Sequence, residues 1–170
     1  DNPATAGVWS GAGWNKRIVY RIGESTAAQY NQGALSMNET FKDGRAIKAL
    51  RDGYAYVIAS LNVNKTNPND VLAAETVMMV KEHINETYGV PKWLTGWGGS
   101  GGAIQQLLMA NNYPGLFDGI MPDAAFPDVW GTAQAVTDCR LLNRYFTAHP
   151  ASDAVRLAFE GHLKGTCRNW

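Results

Sequence analysis

Trp93-Leu94-Thr95-Gly96-Trp97-Gly98-Gly99-Ser100-Gly101-Gly102-Ala103-Ile104-Gln105-Gln106 is the stretch on which the fold turns. Trp93 to Trp97 is a short strand, and Ala103 to Asn111 takes up helical spacing through Ile104, Leu107 and Leu108. Between them lies Gly98-Gly99-Ser100-Gly101-Gly102, too short and too glycine-rich for anything but a tight turn. The unit is therefore strand, turn, helix. Its turn fits G-x-S-x-G, a pattern that acquires chemical meaning only in this setting.

On a turn so sharp, neighbouring side chains would collide with adjacent backbone, so small residues two positions to either side of the serine have a steric purpose. The serine Oγ then projects above the strand ends. The following helix presents free N–H groups and a positive dipole end, which favour a developing oxyanion. Gly101 is the expected first donor, and the second is expected from Gly23-Glu24-Ser25-Thr26, through the N–H of Glu24 or Ser25. Two other readings compete. Gly96, Gly98 and Gly101 also satisfy G-x-G-x-x-G, the dinucleotide-binding fingerprint, with Asp123 after the next strand as its acidic residue. Against it, Trp97 sits where backbone should approach a pyrophosphate, and two earlier strands precede the unit. A turn that is merely glycine-rich is the bland alternative. A P-loop is excluded, because no Gly-Lys-Ser/Thr follows.

Outward from this unit, strand-like and helix-like segments alternate, the signature of a parallel sheet covered by helices. Arg17 to Ile22 alternates polar and apolar residues and ends at Gly23. Arg45 to Arg51 is helical and stops at Asp52-Gly53. Tyr54 to Ser60 is a near-continuous apolar strand of the kind buried on both faces. Asn67-Pro68-Asn69-Asp70 supplies capping residues for a helix whose apolar positions are Ala73, Val77, Val80, Ile84 and Tyr88. Gly89-Val90-Pro91 closes it. Phe117 to Met121 is a further strand. Beyond Pro127 the alternation gives way to helices over roughly 138–148 and 152–163. The expected architecture is an α/β, mostly parallel sheet over 1–130 carrying the serine turn at 96–102, then a helical segment at 131–170 able to serve as a lid or cap.

Composition narrows the functions. Fifteen Lys plus Arg against fifteen Asp plus Glu leaves a net charge of zero, without the basic footprint of a nucleic-acid binder. The longest apolar stretch, Tyr54 to Leu61, falls far short of the roughly 20 residues of a bilayer span. The start, Asp1-Asn2-Pro3-Ala4, does not read as a signal peptide. Two cysteines, Cys139 and Cys167, are too few for a zinc site of Cys type, and whether they pair depends on the redox compartment. Asn38, Asn64 and Asn85 each begin an Asn-x-Thr match, which matters only in a secreted eukaryotic protein.

A serine needs a base, and in G-x-S-x-G hydrolases the order is Ser, then Asp or Glu, then His. After Ser100 the candidate acids are Asp123, Asp128 and Asp138, and the histidines are His149 and His162. Both histidines read as helix-end or surface groups, and His83, among Lys81, Glu82 and Glu86, as a solvated one. Of the tryptophans Trp9, Trp14, Trp97, Trp130 and Trp170, Trp97 is the pocket candidate because it adjoins the turn.

Trp14 to Tyr20, Leu72-Ala73-Ala74-Glu75-Thr76, Gly96 to Gly102 with Gln105-Gln106, Asn112-Tyr113-Pro114-Gly115-Leu116-Phe117-Asp118-Gly119-Ile120 and Phe126-Pro127-Asp128 together resemble one group. It comprises bacterial, largely exported α/β-hydrolase-like proteins, loosely similar to tannase and feruloyl esterases and to 3-hydroxybutyrate oligomer hydrolases. The resemblance implies an α/β-hydrolase fold, Ser100 as nucleophile, a small-molecule or oligomeric carboxylic ester as substrate, a secreted or periplasmic location and no metal or organic cofactor. Two departures stand out. Relatives often carry Cys before the nucleophile, paired in tannase-like members with one beside the catalytic histidine, where this chain has Gly99. Relatives are also longer, with acid and histidine after later strands, so the chain is expected to be an N-terminal fragment of the catalytic domain. A hydrolase-like protein that binds without catalysis is the corresponding alternative.

Overall fold

The structure is a computed structural model that describes residues 11–35, 41, 44–125, 128–161 and 167. Its elements run β1 (Arg17–Gly23), α1 (Arg45–Arg51), β2 (Ala55–Val63), α2 (Asp70–Tyr88), β3 (Trp93–Gly99), α3 (Gly101–Asn112), β4 (Gly119–Asp123), α4 (Val129–Ala148) and α5 (Asp153–Glu160). The chain divides into two compact units, 1–125 and 126–170.

In the first unit the four strands form one parallel sheet in the order β2-β1-β3-β4. This is the α/β arrangement that the alternating segments predict. One sheet face carries Ile18, Tyr20, Ile22 and Leu94, which pack with Ala73, Ala74, Val77 and Ile84 of α2, Met109 of α3 and Leu116. Because successive strand residues point to opposite faces, Arg21 and Trp97, which pair across β1 and β3, lie on the other face. There the Arg45 guanidinium sits 4.8 Å from the Trp97 ring centre and that of Arg21 5.7 Å.

Strand order locates the functional end. The chain leaves β1 toward β2 on one side, whereas it leaves β3 toward β4 on the other. Loops that depart in opposite directions open a crevice between the carboxyl ends of β1 and β3, where ligands of open α/β sheets bind. Gly23 and Gly99 end those two strands.

Three boundaries differ from the sequence expectation. β2 continues past Ser60 to Val63, because Asn62 is wholly buried and its amide is used, accepting from the Tyr20 hydroxyl at 2.6 Å and donating to Ala73 O at 2.9 Å. β4 begins at Gly119 rather than Phe117, since Asp118 closes the connection by exchanging hydrogen bonds with the Leu94 backbone. α4 starts at Val129, well before 138, because the Asp128 carboxylate caps it through Gly131 N–H at 3.0 Å.

The second unit contains α4 and α5, and a disulfide joins Cys139 on α4 to Cys167. Arg156 makes an ion pair with the buried Glu160, donates to Asn143 Oδ1 and lies against the Phe146 ring. Among the described residues no helix is long and apolar enough to cross a membrane.

Candidate active site

Ser100 occupies the single residue between β3 and α3, with φ 51° and ψ −117°. A side chain in that region of backbone space is strained, typically by about 1–3 kcal/mol, and persists only where the surroundings hold it. They do so here from three directions. Ser100 N–H donates to Asp123 O at the end of β4 at 3.0 Å, and Ser100 O accepts from the N–H groups of Ala103 and Ile104 in the first turn of α3. The third hold is steric: a Cβ on Gly98 or Gly102 would overlap the Ile22 carbonyl oxygen, and one on Gly101 that of Ser25. The glycines thus let the elbow press against the end of β1. Gly99 differs, because a Cβ there would meet Asp123 O at 3.5 Å and Glu24 Oε1 at 3.7 Å, in ordinary contact.

Gln106, one helical turn along α3 and fully buried, braces this geometry. Its amide donates to Gly98 O at 2.9 Å and Gly102 O at 3.1 Å, and its Oε1 accepts from Met121 N–H at 3.1 Å. One side chain so ties together the end of β3, the start of α3 and the middle of β4. A buried glutamine with donor and acceptor both used is a specific fastener. The pattern of small residues gives no hint of it.

The loop after β1 lies across the elbow. Ser25 has φ 63°, another left-handed non-glycine residue, and its carbonyl packs on Gly101. Glu24 is exposed, with Oε1 3.7 Å from Arg21 Nη2. Gly101 is the first residue of α3, where N–H groups lack an intrahelical acceptor. Ser100, Gly101 and the Glu24–Ser25 segment thus come together at the crevice between β1 and β3. Nothing in the donor chemistry there suggests a metal, and no cluster of three or more His, Cys, Asp or Glu occurs among the described residues.

The remaining candidates fall elsewhere. Trp97 is 8% exposed and held beneath Arg21 and Arg45. Gly96 and Gly98 belong to the β3 ladder, paired with Tyr20, Ile120 and Pro122, so they do not form the phosphate-cradling turn of a dinucleotide site. Asp123 ends β4 with its Cβ near Gly99. His83 lies late on α2, in a cavity of about 700 Å³ with Trp14, Ile18 and Tyr54, at the end of the sheet where strands begin. It is remote from Ser100, so the first unit places no imidazole beside the serine. In the second unit Asp128 caps α4, Asp138 is exposed on it and Trp130 is 87% exposed. His149 ends α4 with its ring stacked on Tyr145 and Nδ1 3.2 Å from Tyr145 O. His162, Trp9 and Trp170 lie outside the described residues.

With this geometry in view, comparison with protein families gives a match over residues 1–170 to the tannase-like family of unknown function, DUF6351. The chain belongs to that family. The parallel sheet flanked by helices is consistent with a tannase-like hydrolase fold. Among curated proteins and among solved structures, none matches this tannase-like chain. Membership suggests an esterase-type hydrolase at a coarse level.

Proposed function

We propose that this tannase-like chain carries the nucleophile and oxyanion-binding part of a serine esterase. The observation that carries the reading is the conformation of Ser100: a non-glycine residue at φ 51°, packed between glycines, at the switch point of a parallel sheet. A structural serine has no reason to bear that strain, whereas a nucleophile gains an Oγ that projects clear of the backbone toward a bound ester.

In this reading Ser100 Oγ adds to the ester carbonyl carbon as its proton passes to a base. The carbonyl oxygen becomes an oxyanion held by Gly101 N–H and by the N–H of Glu24 or Ser25. Collapse breaks the bond to the alcohol oxygen, which leaves with the proton, and water then releases the acyl group as a carboxylic acid. His83, at the end of the sheet where the strands begin, is not that base. The zero net charge fits a neutral ester better than a polyanion. The Cys139–Cys167 disulfide favours an exported protein, because such bonds persist in oxidising compartments.

The test is labelling by a fluorophosphonate probe followed by peptide mapping. Adduct at Ser100, lost in Ser100→Ala, is the expected result. Labelling that survives Ser100→Ala would overturn the proposal.

A further inference from the structure

Asn64 follows the last residue of β2, and its N–H donates to Gly23 O at the end of β1 at 3.4 Å. Its Cβ lies 3.0 Å from the point a Cβ on Gly101 would occupy. It therefore stands beside Gly101, the first oxyanion donor of the proposed reaction, across the same crevice as Glu24 and Ser25. Asn64 is only 5% exposed, yet its side-chain amide has no hydrogen-bond partner among the described residues. Buried amides are nearly always paired, and each neighbouring buried amide bonds through at least one of its atoms: Asn62 to Tyr20 and Ala73, Gln105 through its N–H to Asn67 O while its Oε1 has no partner, and Gln106 to Gly98, Gly102 and Met121. Asn64 differs in a second way. Neither of its amide atoms is sealed from solvent, unlike Gln105 Oε1, so the little exposure it keeps includes the polar tip.

A desolvated amide that is unpaired in the protein and still reachable from outside is a donor held for a ligand. We infer that the Asn64 side-chain N–H is a further oxyanion donor, acting with Gly101 N–H and the loop after β1 on the intermediate formed at Ser100. The inference rests on the reading of Ser100 as nucleophile. A side-chain amide suits the task because it is preorganised in a nearly water-free position and meets charge that is fully developed only in the transition state.

The experiment compares the full chain with Asn64→Leu, which keeps the shape and removes the donor, using a fluorophosphonate whose phosphoryl oxygen takes the oxyanion position. The expected result is a maximal labelling rate lower by about 10²–10³-fold, with half-saturating probe concentration changed by less than about twofold, as for a contact made only in the transition state. Circular dichroism confirms that the variant is folded; should Asn64→Leu not fold, Asn64→Ala removes the donor without adding a charge and gives the same reading. A folded variant labelled at Ser100 within about threefold of the parent rate overturns the role of Asn64 and leaves the nucleophile intact. A parent chain that is not labelled at Ser100 overturns both.

Discussion

Ser100 N–H donates to the carbonyl oxygen of Asp123 at 3.0 Å, so the strained residue is fastened to the end of the neighbouring strand as well as to its own helix. That bond survives any substitution of the side chain, whereas the strain is relieved only by glycine. Glycine adopts φ 51° freely. Ser100→Gly is therefore expected to be more stable than Ser100→Ala by about 1 kcal/mol, the relief of strain outweighing glycine's entropy cost. Both variants lose probe labelling. Thermal melts of the pair provide the check, and equal midpoints would mean that the elbow stores no strain.

The glycines around Ser100 are not equivalent. Gly98→Ala, Gly101→Ala and Gly102→Ala each drive a Cβ into a backbone carbonyl oxygen of the β1 end, which cannot yield without moving the strand or its loop. Each is expected to lose roughly 3 kcal/mol or more, in the exceptional range for single substitutions. Gly99→Ala, although buried, meets only ordinary contacts and should cost about 1 kcal/mol or less. Urea unfolding of the four variants separates the classes. A Gly99→Ala as damaging as the others would refute the packing described.

The tight turn at Ser100 was legible in the sequence because its requirements are local: small residues at fixed offsets, a strand before and a helix after. The same holds for β1, α1 and α2, whose periodicity and stop signals lie within their own segments. Gln106 and Asn64 were not legible as parts of the site, because a polar residue in sequence reads as surface until its neighbours are known. Gln106 is fixed by Met121, and Asn64 by Gly23 and Gly101, all distant in the chain. The misplaced start of β4 has the same origin. Apolar Phe117 looks like strand, but Asp118 is spent on the Leu94 backbone, a partner 24 residues away.

Tyr20 is completely buried in the core beneath the site, and its hydroxyl donates to Asn62 Oδ1 at 2.6 Å. Burial disfavours the phenolate and holds the phenol well above its ordinary value. The folded state therefore keeps this proton at pH values where the unfolded chain has released it. Stability from Tyr20 is fully present below about pH 10, the ordinary tyrosine value, and is lost as pH rises beyond it. Tyr20→Phe should cost about 1–2 kcal/mol at pH 8, since Asn62 Oδ1 loses its donor. It should also reduce the downward slope of stability between pH 10 and 11. Urea midpoints across that interval, unchanged in slope by Tyr20→Phe, would show that another group dominates alkaline unfolding.

Cys139 and Cys167 are bonded across a sequence separation of 28 residues, with Cys139 only 7% exposed and Cys167 1% exposed. Closing a loop of that length removes conformational freedom from the unfolded chain, about 3.5 kcal/mol in the chain-entropy treatment. The effect should fall on the second unit, where the loop encloses the second half of α4 and all of α5, while the sheet of the first unit has its own core. Cys139→Ser with Cys167→Ser is thus expected to raise hydrogen exchange over 139–160 and to leave β1 and β3 protected. Thiol titration of the denatured parent should find no free cysteine when the protein is prepared under oxidising conditions. Two free thiols in that preparation, or exchange in α4 unaffected by the double substitution, would remove the disulfide as the fastener of this helical pair.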